Sequence, residues 1–385
     1  MKMIPFVIIF IAVISLMHIY ICIRTYQSLE YIANLRIPAI ATIITLIVIF
    51  ILNQSGIMLS VFGSKITESV SFFSSSWIFI LFWIFLFILF FDILRGLNHL
   101  IGFFPSIIKT NYILVKFIVM NLVIATTFIW YILGYLNFSS PSKTELDIFV
   151  NKPQIINDTK VENNLKMVVI SDVHIGYIVN KKKLREYVDS INTQDADIVL
   201  IVGDLVDNAI EPIIDQKIYE ELMDIKSRLG VYVVTGNHEY IGSDKDTKVS
   251  YFRKSGLIVL EDSVVLVNES FYLVGRKDRM DRNRKPTKEL LQGLENTNKP
   301  IILLDHQPFN LEESVDAGVD LHLSGHTHDG QFFPINLITK AMYELSAGYK
   351  LKEKTHIYVS SGLGLWGPPV RIGTKSEFVV INMKW

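Results

Sequence analysis

Five short clusters of carboxylate, amide and imidazole residues stand out in the second half of the chain. They are Ser171-Asp172-Val-His174, Gly203-Asp204-Leu-Val-Asp207, Gly236-Asn237-His238-Glu239, Asp305-His306-Gln-Pro308 and Gly325-His326-Thr-His328. One of them alone would say little, because an Asp after a strand is often the cap of the next helix. Five within one stretch of chain point to metal chemistry. Oxygen and nitrogen donors without thiolates suit Mn, Fe or Zn. Two such ions about 3.5–4 Å apart can clamp the entering and leaving oxygens of a phosphoryl displacement and acidify a water, provided one carboxylate touches both. The single cysteine, Cys22, lies in an apolar run, so the chain offers no thiolate cage and no internal disulfide.

These clusters need a frame that brings them together, and the sequence supplies one. Short β-branched runs precede them: Met167-Val-Val-Ile170, Ile198-Val-Leu-Ile-Val202, Val231-Tyr-Val-Val234, Ile301-Ile-Leu-Leu304 and Leu321-His-Leu-Ser324. Helix-length segments, Lys182 to Asn192 and Ile214 to Leu229, separate the first three. Alternating strands and helices predict an α/β domain of buried, layered sheets, with the ligand-type residues at the carboxyl ends of the strands. Gly203, Gly236 and Gly325 fall where the backbone must turn sharply and approach the site closely.

The motifs Asp-x-His, Gly-Asp-x-x-Asp, Gly-Asn-His-Glu, a lone His and Gly-His-x-His, in this order, resemble the signature of the calcineurin-like metallophosphoesterase superfamily. The resemblance covers Leu165 to Trp385. Ser324-Gly-His-Thr-His-Asp-Gly-Gln331 and Ser360-Ser-Gly-Leu-Gly364 followed by Arg371 resemble its bacterial membrane-associated branch. What the resemblance implies is a two-sheet αββα sandwich holding two divalent cations. Asp172, His174 and His328 would hold the first, and Asn237, His306 and His326 the second, with Asp204 shared. His238 would serve the leaving oxygen or the phosphoryl group, oriented by Asp207. The implied reaction is hydrolysis of a phosphodiester or phosphomonoester by a metal-bridging hydroxide. One departure counts against a protein phosphatase: Asn208 stands where those members carry an arginine after the aspartate.

The first 136 residues have a different solvent. Four apolar runs, Met3 to Ile23, Ile37 to Gly56, Phe72 to Phe91 and Phe117 to Leu136, approach the roughly 20 residues that a helix needs to cross a bilayer. The hydrophobic fraction of 50% against 19% charged residues agrees. No cleavage site of small residues follows the first run, so it reads as a retained anchor. His18 stands alone among apolar residues, and Lys116 sits at a span boundary where it can snorkel. Residues 1–136 are therefore expected to form a four-helix transmembrane anchor, 137–164 a polar linker, and 165–385 the hydrolase domain.

Arg24, Arg36, Arg95, Lys109 and Lys116 in the odd loops, against Lys2, Lys65, Lys143 and Lys152 elsewhere, place the catalytic domain outside the cytoplasm of a multi-pass cell-membrane protein. Tethering to the membrane suggests a lipid or envelope polymer as substrate and membrane lipids as partners. A net charge of −1 gives no basic footprint for nucleic acid. A metal-binding membrane sensor or scaffold without turnover is the alternative, and it predicts a damaged ligand set. Asp305 and Glu239 are candidates for orienting His306 or the Gly-Asn-His turn. His322 points away from the site and reads as structural. The basic segment Arg276 to Lys285 and the apolar segment Phe332 to Met342 are ordinary solvated and packed features, or contacts for an anionic headgroup and a bilayer surface.

Overall fold

The computed structural model describes the chain except residues 1–2, 33–39, 42–43, 52–64, 153, 157–158, 162 and 242–243. It separates into two compact units, Met1–Gly134 with Gly367–Pro369, and Tyr135–Trp366 with Val370–Trp385.

Three helices in the described residues are long and apolar enough to cross a membrane. They are Met3–Ser28, Lys65–Ile101 and Tyr112–Ser139. Within the predicted second span, 37–56, residues 40–41 and 44–51 are helical, and the remainder lies outside the described residues. The helices outrun the apolar windows that flagged them. At 1.5 Å per residue the 37 residues of Lys65–Ile101 reach about 55 Å, well beyond the hydrocarbon thickness. Its charged last third continues as helix because Asp92 pairs with Arg24 at 2.6 Å and Arg95 donates to the Tyr112 hydroxyl at 3.1 Å. His18 is not isolated: the Trp77 indole donates to its Nε2 at 2.8 Å.

The second unit is built on strands β1 Ser142–Phe149, β2 Gln154–Ile156, β3 Thr159–Val161, β4 Asn164–Ile170, β5 Ile198–Val202, β6 Val231–Val234, β7 Ile258–Leu260, β8 Ser263–Val267, β9 Phe271–Gly275, β10 Ile301–Leu304, β11 Leu321–Ser324, β12 Gly348–Lys352, β13 Thr355–Val359 and β14 Glu377–Lys384. One six-stranded sheet runs β1-β14-β4-β5-β6-β7, the other β12-β13-β11-β10-β9-β8, and β2 and β3 pair by themselves. Strands β4, β5 and β6 are mutually parallel, as are β9, β10 and β11. Parallel order puts their carboxyl ends on one edge of each sheet, where the ligand-type clusters follow.

Strict alternation sorts the side chains. Met167, Val169, Leu200, Val202, Val234, Ile302, Leu304, Leu323 and Ile381 face inward and form one core between the sheets. Val168, Ile170, Val199, Ile201 and Val233 face outward beneath the helix Lys181–Asn192, which lays Leu184, Tyr187, Val188 and Ile191 on them. Val274, Ile301 and Leu303 form the outer layer of the second sheet. The expected α/β sandwich of two sheets is thus present.

Two segments differ from their sequence reading. Residues 142–149, read as part of a polar linker, form the edge strand β1, parallel to β14. Thr144, Leu146 and Ile148 turn inward while Lys143, Glu145 and Asp147 stay in solvent, a period of two with charges that protect a sheet edge. The helix read over Ile214 to Leu229 is two short ones, Glu211–Asp215 and Tyr219–Met223. Lys217 between them adopts φ 53°, and the Ile218 amide turns back to the Ile213 carbonyl at 3.0 Å, which closes the first helix.

Candidate metal centre

Three of the five clusters leave their strand ends on strained turns. Asp172, His174, Asp204, His326 and His328 all have positive φ, between 49° and 72°. Residues with a Cβ pay for that conformation, so its recurrence at five ligand-type positions marks the region as functional rather than architectural. Two glycines make the approach possible. A Cβ on Gly236 would collide with the Asp204 carboxylate, and one on Gly325 with Asp172 and Ser171.

The turns converge on three overlapping groups of donors, one of which joins His174 and Asp204 to His238; the other two hold the residues expected as ligands. Asp172, His174 and His328 offer ligand atoms within 4.8 Å of one another, as do Asp204, His306 and His326. Asp204 Oδ2 faces both, 3.1 Å from His306 Nε2 and 3.7 Å from His174 Nε2. Asn237 joins the second group, its Oδ1 lying 3.2 Å from His306 Nε2. All seven residues named as metal ligands from the sequence are therefore gathered in one region, and His238 and Asp207 lie beside them.

The donor set fits cations. His306 Nδ1 donates to the Val202 carbonyl at 2.8 Å, which leaves the Nε2 lone pair aimed at two oxygens, those of Asp204 and Asn237. Only a proton or a metal ion reconciles three acceptors about one point. In the first group His174 Nε2 and His328 Nε2 approach to 3.1 Å, with Asp172 Oδ1 3.3 Å from the latter. Burial and the neighbouring Arg371 guanidinium hold the His328 imidazole well below its ordinary pKa, so it is neutral and a proton is a poor occupant there.

Surrounding groups hold the ligands in place. The His326 amide donates to both Asp172 oxygens, at 3.0 and 2.9 Å, and the Ser171 hydroxyl lies 2.5 Å from Asp172 Oδ2. The His238 amide donates to Asp204 Oδ1 at 2.8 Å. Glu239, fully buried, receives the amides of Asp204, Val206 and Gly236 at 3.1, 3.0 and 2.6 Å, so it ties the Gly-Asn-His turn to the Asp204 turn. Burial first, then the Asp204 carboxylate, pushes its pKa up to about 7. Asp305, the other candidate for orienting His306, instead binds Arg276 at 3.1 Å and Arg284.

His238 Nδ1 donates to the Asp207 carbonyl at 2.6 Å and lies 3.3 Å from its carboxylate. Burial opposes its charge, but the carboxylates of Asp207 and Asp204 prevail and raise its pKa to about 9. The imidazole is a cation at neutral pH, with Nδ1 engaged and Nε2 available.

Sequence reasoning did not assign Arg371 a role. Its guanidinium is fully buried and donates to the carbonyls of His328, Ser361, Gly362 and Gly364 at 3.0, 2.7, 3.2 and 2.6 Å, with one terminal nitrogen 3.2 Å from His328 Nδ1. The glycine-rich run before it was the available signal, since those glycines expose the carbonyls that the fork collects. His322 is buried between the Ser314 and Ser324 hydroxyls at 2.6 and 2.7 Å, outside both donor groups. In the basic segment, Arg276 and Arg284 are used internally by Asp305, and Arg279 lies over the Phe309 ring at 4.4 Å. Of the segment 332–342 only Phe332 and Asn336 are buried, and Phe333, Leu337, Ile338 and Met342 are exposed.

A two-sheet α/β sandwich that collects imidazole, carboxylate and amide donors at its strand ends is the build of a metallophosphoesterase. The chain belongs to the calcineurin-like phosphoesterase family, whose model matches residues 165–330. An uncharacterized metallophosphoesterase of Campylobacter jejuni is 32% identical over 284 residues, which cover 71% of this chain and 71% of that protein. A Danio rerio transmembrane protein with metallophosphoesterase domain is 33% identical over 268 residues, 65% of this chain and 59% of that protein. An uncharacterized metallophosphoesterase of Helicobacter pylori is 36% identical over 229 residues, 58% of this chain and 61% of that protein. The match thus spans about six-tenths of the length of the last two relatives.

Proposed function

We propose that the chain is a membrane-anchored phosphoesterase working with two divalent cations, Mn, Fe or Zn, on a phosphodiester in preference to a phosphomonoester. Residues 1–136 are the anchor, and the hydrolase domain takes in 165–385 together with the edge strand at 142–149. The observation that carries the reading is Asp204, one of whose oxygens faces His174 and His306 alike.

Asp172, His174 and His328 hold one ion, Asn237, His306 and His326 the other, and Asp204 belongs to both. The ions supply Lewis-acid polarisation of the phosphoryl oxygens and a lowered pKa for water. Everything else is work for the chain's own side chains. His238, beside the Asp207 carboxylate at 3.3 Å, presents its Nε2 proton to the oxygen that leaves. The Asp207 carbonyl fixes Nδ1 and therefore the direction of that proton. A lipid or an envelope polymer on a lipid carrier is the substrate class that a membrane-tethered hydrolase reaches most readily, with the catalytic domain on the extracytoplasmic side.

The test uses the full chain in detergent, stripped by chelation and assayed on a bis-aryl and a mono-aryl phosphate. Activity should return with Mn or Zn, faster on the diester, and should be absent in Asp204→Asn. A ligand set that binds metal without any turnover would select the sensor reading instead, and undiminished turnover in Asp204→Asn would defeat the two-ion assignment.

A further inference from the structure

We propose that the membrane unit contains a binding site for one anionic phospholipid, formed where the charged ends of its helices meet. A cavity of about 250 Å³ opens there, with apolar walls including Ile88, Ile108, Val119 and Val123 and with Arg24, Arg95 and Lys116 among its lining. The three basic residues come from three different helices: the last turns of Met3–Ser28, the final third of Lys65–Ile101 and the second turn of Tyr112–Ser139. Cations at helix ends with hydrocarbon-type walls alongside have the polarity profile of a lipid, a phosphate above an acyl chain.

Charge accounting commits the site to an anion. Asp92 neutralises Arg24 at 2.6 Å, and Glu30 neutralises Lys116 at 2.6 Å. Arg95 has no carboxylate partner among the described residues, and its guanidinium donates to the uncharged Tyr112 hydroxyl at 3.1 Å. Among the described residues the group therefore carries one uncompensated positive charge, which one phosphodiester headgroup balances. Hydrogen bonding is also incomplete. Arg24 spends its two terminal nitrogens on Asp92 and Gln27, while its buried Nε has no partner. A buried guanidinium N–H left unpaired costs free energy that an added acceptor recovers. A zwitterionic lipid supplies the acceptor but no net charge, so the site should discriminate by headgroup.

The experiment measures lipid retention by the full chain in detergent, using native mass spectrometry with phosphatidylglycerol, phosphatidylcholine and soluble glycerol phosphate as probes. One phosphatidylglycerol should be retained per chain, and phosphatidylcholine should bind at least about fivefold more weakly for the single charge at stake. Arg95→Gln with Lys116→Gln should weaken phosphatidylglycerol about 25-fold at low salt, whereas Arg95→Lys leaves it unchanged. Val119→Trp, which fills the apolar wall while keeping every charge, should also expel the lipid, so the result does not hang on one variant folding. Equal retention of the two lipids, or retention surviving both the charge-removing and the cavity-filling variants, overturns the proposal. Displacement of the lipid by glycerol phosphate at equal concentration would make this a pocket for a free phosphate and likewise overturn it.

Discussion

The two donor groups are alike in their ligands, but only the first has a buried cation against it. Asp172, His174 and His328 are all buried; the fully buried Arg371 cation abuts His328, and the Asp207 carboxylate lies 3.6 Å from His174 Nδ1. Asp204, His306, His326 and Asn237 are backed by carboxylates. Glu239 clamps the Asp204 turn, and buried Asp278, held by Gln307 beside His306, adds negative potential. Two residues on this side, Asn237 and His326, are also partly exposed. A positive neighbour weakens a cation site and a negative one strengthens it, by a few kcal/mol at the effective dielectric of a partly buried site. With Arg371 offsetting the Asp207 carboxylate on the first side, the second group should be the tighter, and by its exposure the one a substrate meets first.

The largest effect expected is the one that abolishes the comparison. Asp204→Asn removes the carboxylate that both groups share, so bound metal should fall in both and turnover by at least about 10³-fold. Elemental analysis beside the rate assay separates loss of metal from loss of fold. Next comes His238→Gln, which should cost about 10²–10⁴-fold in turnover yet leave both ions bound, because the imidazole is assigned to the leaving oxygen. The loss should shrink with a nitrophenolate leaving group, which needs no proton. An equal loss with a poor and a good leaving group would remove His238 from that role.

A graded chelator titration sharpens the contrast directly. Metal should leave in two steps, the first from Asp172, His174 and His328. Arg371→Met then reports on the cause. Relief from the guanidinium charge should strengthen the first site, while the carbonyls of His328, Ser361, Gly362 and Gly364 lose their donor, at a cost of about 3 kcal/mol in stability. A single-step titration in the wild-type chain, or two steps in the reverse order, would show that the buried charges do not set the hierarchy.

Much of this was legible in sequence, for identifiable reasons. Strands buried on both faces read as unbroken apolar runs, and each of Ile198–Val202 and Ile301–Leu304 matched its strand end to end. The ligand-type residues were legible because they follow those runs within a few positions, so strand order alone gathers them. Long-range partners were not. The glycines before Arg371 mark the carbonyls its fork collects, but not that the fork also meets His328, 43 residues earlier, and no local pattern shows that Glu239 collects amides from the Asp204 turn. Residues 142–149 read as linker because Lys143, Glu145 and Asp147 are charged, although they alternate with Thr144, Leu146 and Ile148. The helices of the first unit were drawn too short because apolar windows measure hydrocarbon thickness, whereas Asp92 and Arg95 extend the helix through their pairing.

The smallest effect on turnover is expected at His322, and it tests whether structure on the strand that leads to His326 is independent of the site. Burial is the main cause that lowers its pKa, to about 4, with the nearby Arg276 and Arg284 acting in the same direction against Asp305. The folded state therefore prefers the neutral imidazole. Its contribution is fully present above the unfolded value of about 6.5 and is lost as pH falls from there toward 4, to an upper limit on the order of 3 kcal/mol. His322→Asn should flatten the acid limb of a denaturation profile over that window and leave turnover at pH 7.5 nearly unchanged. If turnover falls as far as in His238→Gln, β11 transmits strain from its buried histidine to the second donor group, and the two groups differ in mechanical support as well as in charge.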